Sequence, residues 1–156
     1  MRSEHDDTQV VRWSLREKGV VLAGPDPRDL VDPVSPAELS AEMGRMAALC
    51  LAVELQPMER VCDQTFWVSV FCRILHTTVT GSIASKKAGA AWAADTLDQR
   101  WRGLIERSLA ARSLPEEQRI SRADPADVAA TREFVAYVVG QLEAAACPIR
   151  CRGPSD

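Results

Sequence analysis

The chain has 156 residues, a length that suits one domain able to bury roughly 68–70% of the surface its unfolded form exposes. Hydrophobic residues make up 46% and charged residues 26%, a balance that excludes a disordered chain, a fibre and a membrane-embedded one. Nineteen Lys and Arg are scattered among twenty-two Asp and Glu for a net charge of −3, so no concentrated basic surface is on offer to a nucleic-acid backbone.

The start, "MRSEHDDTQ", is acidic where a signal peptide would be basic and then apolar, and the uninterrupted apolar runs are only a few residues long. A cytoplasmic protein with no membrane partner is the expectation. His5 lies in this acidic start and is given no role. The five cysteines, Cys50, Cys62, Cys72, Cys147 and Cys151, are odd in number, which together with that compartment argues against a disulfide framework. Cys147 and Cys151 stand at C-x3-C spacing, but no second Cys/His pair completes four zinc ligands. Cys50 and Cys72 fall on apolar helix faces and read as buried free thiols.

Along the chain, "TQVVRWSLREKG" is loosely periodic and reads as a short helix, and "VVLAGP" follows as an apolar run closed by a Gly-Pro breaker, which predicts a strand at Val20 to Ala23. No other segment reads as a strand, so this one has no pairing partner for its N–H and C=O groups. "PDPRDLVDPVSP" carries four prolines and three aspartates and predicts an extended linker. "SPAE" then supplies an N-cap at Ser35, a proline at the first helical position and Glu38 three residues after the cap, the signature of a capping box. Leu39, Met43, Met46, Cys50 and Val53 recur at spacings of four and three and give a helix one apolar face, through about Leu55, where Pro57 forbids continuation.

The next helix, near Gln64 to Thr80, is apolar almost all round through Phe66, Trp67, Val68, Val70, Phe71, Ile74, Leu75 and Val79, which predicts a central position. Its polar residues Thr65, Ser69, Arg73, His76 and Thr80 project within one stripe of roughly 80°. A polar stripe on a buried helix has to meet water, a partner or a ligand. Gly81 ends this helix as a C′ glycine, and Ser85 can cap the following one, "KKAGAAWAADT", whose small residues let a neighbouring backbone come close. A fourth helix carries Trp101, Leu104, Ile105 and Leu109 on one face. After the loop "SLPEEQRISRA", a fifth opens at Asp124-Pro125 with Val128, Thr131, Phe134, Val135, Val138 and Leu142 facing inward. "CPIRCRGPSD" reads as a loose tail. The fold class is therefore all-α, a five-helix bundle preceded by a short helix and strand. Residues 1–24 form the leading fragment, 25–36 the linker, 37–146 the bundle and 147–156 the tail.

Lys86 and Lys87 stand at the positive end of a helix dipole, where cations are disfavoured. They are either solvated residues at a helix start or one half of an anion site, where free N–H groups and a lysine converge on a phosphate or carboxylate. Arg73 and His76 either satisfy carboxylates and carbonyls inside the bundle or line a cleft. Gly81-Ser82 tests for the nucleotidyltransferase pattern, in which Gly-Ser is followed some dozen residues later by Asp-x-Asp or Asp-x-Glu for metal binding. Downstream stands Asp95-Thr96-Leu97, with no second carboxylate, so the pattern fails here. No Gly-x-x-x-x-Gly-Lys loop, His-x-x-x-His pair or Gly-x-Ser-x-Gly elbow is present.

The stretches "GVVLAGPDPRDLVDPVS", "CRILHTTVTGSIASKKAGAAWA", "RWRGLIERSLAAR" and "TREFVAYVVGQLEAA" resemble the C-terminal half of the aminoglycoside 3″-adenylyltransferases, which confer streptomycin and spectinomycin resistance. The resemblance runs from about Gly19 to Ala145 and is most specific at residues 72–92. It implies that ATP, with Mg, and an aminoglycoside or aminocyclitol drug are the partners. In such enzymes an N-terminal nucleotidyltransferase domain carries the metal carboxylates and the catalytic base, and a C-terminal helical bundle closes over the cleft. On this resemblance the first 24 residues are the end of that first domain, with Val20 to Ala23 as its last strand, and this chain carries no catalytic or metal residue of its own.

Residue by residue, the resemblance makes Lys86 an ATP-phosphate contact and Asp63 a contact to the drug's cationic groups. Arg112 stands where the family has an ATP-contacting tyrosine, and Phe66 where an asparagine often follows. Arg73 and His76 are the further cleft candidates. The implied function is the ATP- and drug-contacting domain of an AMP-transferring enzyme, inactive by itself and served by a separate nucleotidyltransferase domain. The other reading is a non-catalytic helical module that docks on a separate protein through the strand and the polar stripe.

Overall fold

A computed structural model describes residues 7–52 and 58–146. Eight helices follow in order: α1 Gln9–Lys18, α2 Pro27–Leu30, α3 Pro36–Ala52, α4 Val61–Thr80, α5 Lys86–Thr96, α6 Gln99–Ala111, α7 Glu116–Arg119 and α8 Pro125–Ala146. Helices α3, α4, α5, α6 and α8 form the expected five-helix bundle. The expected helix stop at Pro57, His5, and the tail with Cys147 and Cys151 lie outside the described residues.

Helix α4 is the axis of the molecule and packs against α3, α5, α6 and α8. Its Val68, Phe71, Cys72, Ile74 and Leu75 are buried and meet Met43 and Ala47 of α3, Ala90 and Ala93 of α5, Leu104 and Ile105 of α6, and Phe134, Val135 and Val138 of α8. That is why its sequence is apolar on nearly every side. The exceptions are informative, because Phe66 and Val79 of the expected apolar surface are 45% and 63% exposed. A buried polar set crosses the same core: the Gln64 side-chain amide donates to Thr131 Oγ1 at 2.8 Å, and the Thr131 hydroxyl donates to the Asp127 carbonyl at 2.7 Å. This gives the buried amide of α4 a partner on α8, as burial of a polar group demands.

The helix ends follow local chemistry. Ser35 Oγ accepts the Glu38 N–H at 3.2 Å, while the Glu38 carboxylate accepts the Ser35 N–H at 2.8 Å, so the capping box is complete. Gly81 ends α4 with φ 66°, a left-handed conformation, and a Cβ there would stand 2.7 Å from Pro36 Cβ. Glycine is required twice over at this position.

Two expectations are corrected. No strand forms at Val20 to Ala23: the segment runs as coil into a bend, with Val20 81% and Leu22 94% exposed. Extended backbone is stabilised by a neighbouring strand, and no strand is present among the described residues to supply one. The fragment before the bundle is thus a helix and an apolar coil. The proline-rich stretch is also more than an extended linker, because Asp26 caps the single turn of α2, and the Arg16 guanidinium of α1 donates to the carbonyls of Arg28 and, at 2.6 Å, Val31. The segment is tied down onto α1.

Candidate functional site

Lys86 opens α5, with the Ser85 hydroxyl accepting the Ala88 N–H at 3.1 Å as the N-cap. One turn further on, Gly89 lies so close to α4 that a Cβ there would be 3.1 Å from Arg73 Cα. The small residues Gly89, Ala90 and Ala93 are buried in this contact, as the run of alanines and glycine predicted. Close approach of the two backbones brings the base of α5 against the N-terminal half of α4, and the Lys86 ammonium comes to lie 4.1 Å from the centroid of the Phe66 ring. Burial first, and then the charges of Arg112 and Arg73, hold Lys86 below the usual lysine range.

Beside this lysine is a cavity of about 210 Å³, walled by Cys62, Thr65 and Phe66 of α4, by Ala111 and Arg112 at the end of α6, and by Arg119 of α7. Four elements therefore deliver four cations to one region: Arg73, Lys86, Arg112 and Arg119. Among the described residues no ion pair neutralises any of them. Like charges held together without counter-charges raise one another's cost, and an anion entering the region relieves it. The loop carrying Arg119 is held in place by Ala123, whose N–H donates to the Glu59 carbonyl at 2.8 Å, and by Val61, whose N–H donates to the Ser121 carbonyl at 3.0 Å.

Asp63 sits in the first turn of α4, where one carboxylate oxygen accepts the Arg60 N–H at 3.1 Å. This is half of a capping box and gives the residue a structural task at the helix start. Arg60, with Arg122 and Arg132, lines a second and larger open groove of about 720 Å³. His76 lies about three turns along α4 from the cavity, its ring edge-on to Trp92 at 5.2 Å and its Nδ1 3.3 Å from Thr80 Oγ1. The polar stripe thus divides. Thr65, at the cavity, and Arg73, beside Lys86, belong to the cationic region; Ser69 turns back to the Thr65 carbonyl at 2.8 Å; the Thr80 hydroxyl donates to the His76 carbonyl, and the His76 ring packs against Trp92 of α5.

The structure brings Lys86, Arg112 and Arg73 together and leaves His76 apart. Sequence reasoning gives two members of the region no role here. Phe66 reads only as an apolar residue of the helix and as a departure from the family's asparagine, and Arg119 lies in a loop with no pattern to single it out. For Phe66 the available signal was its place beside Thr65 and Asp63, on the polar side of α4.

Fold and site together define a helical bundle whose helix ends gather unneutralised cations around a small cavity. Residues 29–140 match the family model described as aminoglycoside adenylyltransferase, C-terminal domain, and the chain belongs to that family. It is 30% identical over 136 residues to the aminoglycoside (3″)(9) adenylyltransferase of Klebsiella pneumoniae, with 87% of this chain and 48% of that protein covered. The corresponding protein of Escherichia coli is 31% identical over 137 residues, covering 87% of this chain and 49% of its own length. The chain spans about half the length of these relatives.

Proposed function

We propose that the chain supplies the ATP- and drug-contacting helical half of an enzyme that transfers AMP from ATP to a hydroxyl of streptomycin or spectinomycin. The observation that carries this reading is the convergence of Lys86, Arg73 and Arg112 with no ion pair to an acidic partner among the described residues. A triphosphate matches that charge, and the free N–H groups at the start of α5 favour an anion at the same place. In adenylyl transfer the drug hydroxyl attacks the α-phosphorus and pyrophosphate leaves. Cations placed on the β- and γ-phosphates stabilise the charge that builds on the leaving group. Arg112 offers planar paired donors to phosphate oxygens where a tyrosine would offer a single hydroxyl. Asp63, with one oxygen at the helix cap, has lone pairs left for a drug ammonium or guanidinium.

Magnesium supplies charge neutralisation on the phosphates when bound. The family resemblance assigns the ion to carboxylates of a nucleotidyltransferase domain. The same domain is the assigned cover for Val20, Leu22 and Leu30, which leave apolar surface in water.

Calorimetric titration of MgATP, streptomycin and spectinomycin into the full chain tests the reading. Binding of MgATP is expected, weakened about tenfold or more by Lys86→Ala, the loss typical of a hydrogen bond to a charged group. Asp63→Asn is expected to weaken the drug and leave MgATP unchanged. Adenylyl transfer is expected only when a nucleotidyltransferase domain is added. Absence of binding to all three ligands overturns the reading. Exposed Val20, Leu22 and Leu30 then favour the helical docking module in its place.

A further inference from the structure

The contact between Lys86 and Phe66 is unusual in what it lacks. Lys86 approaches Arg73 and Arg112, among the described residues no ion pair with a carboxylate offsets them, and its ammonium stands over an aromatic face at 4.1 Å from the centroid. The ring also meets Trp67 in a T-shaped contact at 5.3 Å and 79°. It is 45% exposed and walls the cavity that Arg112 and Arg119 share. An aromatic left that open forgoes much of the burial that would justify it in a core, whereas its negative face can hold a cation.

We propose that Phe66 is the positioning residue of this region, its ring face holding the Lys86 ammonium beside Arg73 and Arg112 so that the three cations stay assembled for a polyphosphate anion. The ring occupies one side of the ammonium, whose N–H groups on the other side remain available to phosphate oxygens. No group has to leave when the anion arrives. The inference rests on the nucleotide reading above for the nature of the ligand, and adds the device that pre-organises the site for it.

The chain has three lysines, Lys18, Lys86 and Lys87, so lysine-selective ¹³C NMR of the full chain resolves Lys86, whose resonance Lys86→Met assigns by its disappearance. With the ring beneath it, the Lys86 Hε signal is expected upfield of that of Lys87. Phe66→Leu should erase this difference and weaken inorganic tripolyphosphate, measured by calorimetry, about two- to fivefold, the size of an exposed cation–π contact. Phe66→Trp should restore both. If wild type binds tripolyphosphate while Phe66→Leu changes neither the Lys86 signal nor the affinity, the role of Phe66 is overturned and the nucleotide reading stands. If Phe66→Leu shifts only the thermal midpoint, the residue is packing alone and the proposal fails. If wild type binds no tripolyphosphate, both fall together.

Discussion

Lys86 carries a cost in the ligand-free protein. Burial and two neighbouring cations depress its pKa, so in the alkaline range the unfolded chain holds more protons than the folded one and stability rises with pH. Below the depressed value both states are protonated, and the penalty is present in full at neutral pH. Lys86→Met is therefore expected to raise the thermal midpoint of the free chain at pH 7, its thioether keeping contact with the Phe66 ring. The advantage should shrink as the pH climbs from the depressed value toward that of an ordinary lysine. Thermal melts of both proteins across that interval check the sign. The two adjacent lysines and the dipole were visible in the sequence, yet they left both a solvated helix start and an anion site open. The approach of Arg73 and Arg112, which supports the proposed anion site, comes from residues 13 positions before and 26 positions after.

Helices α4 and α5 owe their closeness to Gly89. Gly89→Val would push a branched side chain into the Arg73 backbone, and overpacking of that kind costs about 1–3 kcal/mol. The expected result is lower stability together with weaker triphosphate binding, because moving the base of α5 carries Lys86 away from Arg73. Gly89→Ala is the comparison: its smaller intrusion is offset by a gain in helix propensity of about 1 kcal/mol, so it should stay near wild type in a urea titration. At this scale the sequence was a good guide. Capping signals at Ser35 and Ser85, the proline that opens α8 and the left-handed glycine after α4 act within a few residues, and each is found where local chemistry puts it. The strand at Val20 to Ala23 failed because its stability would have come from a partner strand, which no local pattern supplies.

For the molecule as a whole, burial grades the thiols. Cys72 is fully buried at the centre of α4, and burial pushes its pKa up to about 12. Cys62 lines the cavity and is half-buried. In a thiol-labelling series followed by peptide mass spectrometry, Cys62 is expected to react while the bundle is folded. Cys72 should react only through global opening, its rate rising with urea in step with the loss of helical signal. Early labelling of Cys72 would mean that α4 is not the axis on which the other helices depend.

The sequence by itself determined the five bundle helices, the caps at Ser35, Gly81 and Ser85, the inward faces and the centrality of α4, because periodicity and capping are properties of neighbours a few residues apart. It also carried the family, in stretches spread over most of the chain. The tertiary structure decided which polar residues meet: it drew Lys86 and Arg73 toward Arg112, which lines one cavity with Arg119, seated an ammonium on Phe66, and left His76 packed against Trp92. Those meetings depend on how closely four helices approach one another, a distance set by side-chain volumes far apart in the chain.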